Sequence, residues 1–149
     1  MNKEEFAHRR SALLEMLEPE AIVILPSSPE QSRNGDVLYP YRQDSDFYYL
    51  TGFQEPESVA VMIPDRPQGE YLIFCRESNP VAEVWNGRRA GLVGACSEYG
   101  ADDAFPITDI DDILPGLLEN KKRIYYPMGR YKSFDQRLIR WVSRVGSMG

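Results

Sequence analysis

Ala21-Ile22-Val23-Ile24-Leu25 is an unbroken apolar run of five residues. It is too short for a helix and lacks the alternation of a strand with one wet face, so it reads as a buried central strand. Val59-Ala60-Val61-Met62-Ile63 and Glu70 to Cys75 repeat the pattern. The turn Pro64-Asp65-Arg66-Pro67-Gln68-Gly69 between them makes an antiparallel hairpin the natural pairing. Phe47-Tyr48-Tyr49-Leu50, closed by Gly52, reads as another strand, with Phe105-Pro106-Ile107 and Arg123-Ile124-Tyr125-Tyr126 as further candidates. Pro26, Pro29, Asn34 and Gly35 mark 26–38 as a loop.

Helical spacing takes over at three places. Over 3–17, Phe6, Leu13, Leu14 and Leu17 share a face and leave Arg9, Arg10 and Glu15 off it. Asn2 and Glu5 stand in capping-box relation, and Pro19 stops the helix. Ile110, Ile113, Leu114, Leu117 and Leu118 follow helical spacing after caps available at Thr108, Asp109, Asp111 or Asp112. Pro115 fits that helix only in or beside its first turn, and anywhere else it predicts a kink. Ser133, with Gln136 three residues on, opens a last helix whose apolar stripe is Phe134, Leu138, Trp141, Val142 and Val145 and which ends at Gly146-Ser147-Met148-Gly149. Residues 77–100 mix a short helix with loops. The expected fold is one α/β domain over 1–149, a mixed sheet of five or six strands flanked by helices, with 149 as a domain boundary.

The net charge of −6 repels a phosphate backbone, and Arg9-Arg10, Arg88-Arg89 and Lys121-Lys122-Arg123 are too short and scattered to offset it, so nucleic acid is excluded as a partner. The longest apolar run falls far short of the ~20 residues a membrane span needs. No secretory apolar stretch opens the chain, and Cys75 and Cys96 lack a CxxC spacing, which points to the cytoplasm.

Chemistry needs more than this chain offers. His8 is the sole histidine and lies on a charged helix, where a solvated surface position is expected. Asp102-Asp103 and Asp109, Asp111 and Asp112 fall in turns and at a helix start, where capping accounts for them without a metal. A serine or cysteine nucleophile would lack a base, and no GxSxG, P-loop or GxGxxG occurs. The chain alone is therefore expected not to be an enzyme.

Two segments exceed what a core requires. Tyr39 to Phe53, YPYRQDSDFYYLTGF, sets six aromatic residues around Arg42, Gln43, Asp44 and Asp46 and runs on into Gln54-Glu55-Pro56-Glu57. Its plain reading is a hydrogen-bonded strand entrance, with Arg42 paired to a nearby carboxylate. Glu83-Val84-Trp85-Asn86-Gly87-Arg88-Arg89 sets a Trp two residues before a Gly and paired arginines. Either the Trp is an exposed anchor, or it is a core residue with Arg stacked on it.

Together with Arg9-Arg10 and Leu13, these blocks resemble the N-terminal domain of aminopeptidase P, of the creatinase/prolidase metallopeptidase family, over essentially all 149 residues. The resemblance implies a creatinase-like, ribonuclease-H-like domain with no cofactor of its own. A C-terminal "pita-bread" catalytic domain, absent from this chain, would hold two divalent ions, usually manganese, and hydrolyse peptides with proline second. It further implies a homo-oligomer in which Trp85 helps wall a neighbouring subunit's substrate pocket and Asp36 lies near that pocket's entrance. The chain departs from the bacterial pattern at Asn86, where an aromatic can stand, and at Pro115. Alternatives are a peptide- or protein-binding module of the same fold and the corresponding domain of a prolidase.

Overall fold

The computed structural model describes residues 3–30 and 41–148, without the side chains of 147 and 148. Five strands form one mixed sheet: β1 (Ala21–Pro26), β2 (Val59–Met62), β3 (Tyr71–Cys75), β4 (Asp103–Pro106) and β5 (Arg123–Tyr125). Their spatial order is β4-β3-β2-β1-β5. The hairpin pairs β2 with β3 antiparallel, Val61 opposite Leu72, and β1 runs antiparallel to β2, Ile24 opposite Val61. The edge strands β4 and β5 are parallel to their neighbours.

Every residue of β1, β2 and β3 is buried because each face of the sheet is covered. Ile22, Ile24, Val59, Val61, Leu72 and Phe74 pack on one side against α5 (Ile110–Leu118) and α6 (Lys132–Met148), through Ile110, Leu114, Leu138 and Trp141. Val23, Leu25, Ala60, Met62, Ile73 and Cys75 point the other way. They meet Phe47, Phe53 and Ala95, with Leu13, Leu14 and Leu17 of α1 (Lys3–Met16) at the margin. Period-two alternation thus feeds two cores from the same strands.

Three local expectations change. The segment read as the strand Phe47–Leu50 is the helix α2 (Ser45–Thr51). Asp44 Oδ1 accepts from the amides of Asp46 and Phe47, both at 3.0 Å, which caps the first turn. Gly52, at φ +70°, closes the last by donating its amide to the Tyr48 carbonyl. The buried residues are then Phe47 and Thr51, four apart on one helical face. Arg10 is not on a wet face either but is 5% exposed. Its guanidinium donates to the Leu50 carbonyl at 2.9 Å and lies 4.1 Å over the Tyr71 ring, so hydrogen bonding and cation–π contact satisfy a charge that periodicity places in water. The last helix starts at Lys132 and continues through Gly146 to Met148.

Pro115 lies inside α5, which begins at Ile110 directly after a 3₁₀ turn, Ile107–Asp109. The carbonyl deprived of its helical donor is that of Asp111, and Arg144 of α6 donates to it at 3.3 Å. The capping expected of Asp109 is not made. Asp111 instead accepts from the Trp141 indole N–H at 2.9 Å and from Arg137 at 3.2 Å, tying α5 to α6.

Cys75 is fully buried, with its thiol pushed up to about 12 by burial first and by nearby Glu55 second. It is expected to resist alkylation at neutral pH until the chain unfolds, which a thiol titration with and without denaturant measures.

Candidate functional site

Gln43 and Asp44 of the Tyr39–Phe53 block are consumed by the fold. Gln43, on the loop ahead of α2, accepts through Oε1 from the amides of Ser28 (2.9 Å) and Asp44 (2.8 Å) and from the Tyr41 hydroxyl (3.0 Å). Its Nε2 donates to the Phe53 and Glu55 carbonyls, both at 3.1 Å. Asp44 caps α2 with one oxygen and accepts with the other from Arg130 (2.8 Å) and the Tyr131 hydroxyl (2.6 Å), both ahead of α6. Burial pulls the Asp44 carboxyl upward, but Tyr131, the Phe47 amide and Arg130 outweigh it and hold the group below the usual aspartate value. Burial raises Tyr41 to about 12, so it stays protonated and serves as a donor, to the Ser28 carbonyl at 2.7 Å. This block is scaffold at a helix entrance, not the strand entrance of its plain reading, and the cation paired with Asp44 and Asp46 is Arg130 from far along the chain, where Arg42 was expected. Asp36, Tyr39 and Pro40 lie outside the described residues.

The second block is different. Its helix α3 (Pro80–Asn86) has no buried residue. Asn79 caps it through Ala82, Pro80 takes the first position where a missing N–H costs nothing, and Gly87 ends it at φ +92°. Val81, Val84 and Trp85, at i, i+3 and i+4, share one face and are 74%, 77% and 83% exposed. Val93, on α4 (Gly91–Ser97), is 81% exposed. Trp85 is therefore exposed and not the core residue of the second reading, and the Arg stacked on a Trp is Arg137, 5.3 Å from the ring of Trp141.

Glutamates hold this bare helix. Glu83 spans its two ends, accepting from the Asn79 and Arg89 amides, while Glu55 accepts from the Ala90 amide at 2.8 Å and pairs with Arg76 at 3.3 Å. Sequence reasoning gave Glu55 no role, since its partners lie 21 and 35 residues away and follow no local period.

Among the described residues no group of three or more His, Cys, Asp or Glu is placed to hold a metal ion, and His8 is exposed on α1. The donor set does not fit a dinuclear metal centre, and no metal step runs through these residues. A cleft of about 370 Å³ where β1 ends against α6 is lined by Ser27, Glu57, Tyr131, Ser133 and Arg137 among others, with no imidazole or thiol. Among the described residues no helix is long and apolar enough to cross a membrane.

The family description "Aminopeptidase P, N-terminal domain" matches residues 6–125. This chain belongs to that family. The match takes in most of α1, the whole sheet and both blocks. Aminopeptidase PepP of Pseudomonas aeruginosa superposes with a TM-score of 0.94 at 56% identity, over 99% of this chain and 33% of that one. The Xaa-Pro aminopeptidase of Escherichia coli is 38% identical over 136 residues, 91% of this chain and 31% of its own. Arabidopsis thaliana intermediate cleaving peptidase 55, mitochondrial, is 34% identical over 136 residues, 89% of this chain and 27% of its own. The chain thus spans about a third of the length of its relatives. The five-stranded mixed sheet is that of the aminopeptidase P N-terminal domain.

Proposed function

We propose that this domain is the non-catalytic N-terminal part of a cytoplasmic Xaa-Pro aminopeptidase. It would support assembly of a homo-oligomer and lend Trp85 to the wall of a neighbouring subunit's substrate pocket. The observation that carries this reading is Trp85 itself, 83% exposed on a helix with no buried side chain, in a chain of the aminopeptidase P family. An aromatic left this bare, with Val81 and Val84 beside it, is fitted to meet another surface. Asp36 is assigned to the entrance of the same pocket. Hydrolysis would belong to a catalytic domain outside these residues, where two divalent ions, assigned as manganese, would supply the chemistry. The two thiols, one buried and one half-buried, suit a reducing compartment.

The test compares this chain with the full-length protein on Xaa-Pro peptides in the presence of Mn²⁺. Cleavage by the full-length protein alone is expected, and activity in the isolated domain, or none in the longer protein, would overturn the assignment. Trp85→Ala in the full-length protein is expected to lower kcat/KM about tenfold or more, the scale of losing a hot-spot aromatic. The domain's stability should shift by no more than about 0.5 kcal/mol, since the side chain touches no core. Unchanged kinetics with an intact oligomer would reject the pocket-wall role.

A further inference from the structure

Packing does not hold the helix that presents Trp85. Helix α3 has seven residues, and one this short does not persist in water by its own hydrogen bonds. Its two ends are instead joined by one carboxylate: Glu83 Oε2 accepts from the Asn79 amide at 2.9 Å and Oε1 from the Arg89 amide at 2.7 Å. Asn79 Oδ1 accepts in turn from the Ala82 amide at 3.1 Å, and Gly87, at φ +92°, lets the chain turn back between the two clamped amides. One residue on, Glu55 takes the Ala90 amide and pairs with Arg76, directly after β3. Polar contacts thus run from Arg76 through Glu55 to the Ala90 amide, and the preceding residue, Arg89, is bound in turn by Glu83, two positions from Trp85 on α3.

We propose that Glu83 is a positioning residue, whose carboxylate fixes the angle at which α3 presents Trp85 to the partner subunit's substrate pocket. This rests on the pocket-wall reading of Trp85. The chemistry favours an ionised carboxylate, because it offers acceptors on both oxygens, whereas an amide would turn an N–H₂ toward one of the two backbone donors. The Arg89 amide first, then the Asn79 amide, lowers the pKa of Glu83, as expected for a group whose charged form takes both bonds.

The test has two parts. In this chain, hydrogen exchange is followed at the Asn79 and Arg89 amides. Glu83→Ala is expected to accelerate both on the order of tenfold, and Glu83→Gln only one of them. In the full-length protein, kcat/KM on an Xaa-Pro peptide is measured for Glu83→Ala, Trp85→Ala and the double variant. A residue acting through Trp85 gives a double variant no worse than Trp85→Ala alone. Additive losses, or normal kinetics in Glu83→Ala while Trp85→Ala is impaired, would overturn the positioning role and leave the pocket wall standing. A silent Trp85→Ala would remove both. If Glu83→Ala fails to fold, the isosteric Glu83→Gln carries the same cycle.

Discussion

Asp44→Ala is expected to cost about 2–4 kcal/mol of folding stability, the sum of a lost helix cap and buried donors left without an acceptor. The Asp46 and Phe47 amides, Arg130 and the Tyr131 hydroxyl all converge on this one carboxylate, which is 7% exposed. Tyr131 keeps a second contact with Ser28 Oγ at 3.2 Å, and Arg130, half exposed, still reaches Asp46 at 3.0 Å, so those two recover part of their loss. The Phe47 amide recovers nothing, because its residue is fully buried. Asp44→Asn keeps one oxygen for the cap but turns an amide toward Arg130 and Tyr131, and should fall between the two. Urea unfolding at neutral pH measures the difference. A carboxyl that ionises more readily in the folded chain than in the unfolded one stabilises the fold above its unfolded-state pKa, and that contribution disappears as pH falls through the folded value. The gap between Asp44→Ala and the parent chain should therefore narrow in acid. An unchanged unfolding midpoint in Asp44→Ala would show that the network holds without its centre.

Gly52→Ala is expected to cost a further, independent 2–4 kcal/mol or so, from left-handed backbone strain and a steric clash together. Gly52 sits at φ +70°, and a Cβ there would stand 2.7 Å from Cε2 and 2.9 Å from Cζ of Phe6. The Phe6 ring has little room to retreat. It is 6% exposed, edge-on to Tyr48 at 5.7 Å and beneath the Arg9 guanidinium at 5.2 Å. Thermal unfolding checks the magnitude. Phe6→Leu in the Gly52→Ala background separates the two causes: relief of the clash should recover part of the loss and leave the backbone strain. If Gly52→Ala unfolds at the parent temperature, neither effect operates.

The two glycine-closed blocks show where reading along the chain succeeds and where it stops. The strands within 21–25, 59–63 and 70–75 were legible because burial on both faces leaves a purely local mark, an apolar residue at every position of β1, β2 and β3. The 47–50 segment was misread because aromatic residues favour strands, whereas a cap at Asp44 and a left-handed Gly52 decide for a helix. That signal was present as an Asp and a Gly bracketing seven residues, the span of a two-turn helix. Arg10 was placed on the wrong face for a different reason. Its partners, the Leu50 carbonyl and the Tyr71 ring, are 40 and 61 positions away, and helical periodicity knows only near neighbours.

The residues alone determined the family and the mixed α/β architecture, because motif order and apolar runs can be read without a third dimension. Only the tertiary structure decided that Trp85 stands in solvent while Trp141 is buried, and that Glu83 within the Trp85 helix and Glu55 outside it tie down the chain around that helix. Burial and hydrogen bonding are settled between segments distant in the chain, where one carboxylate can satisfy amides that no local pattern connects.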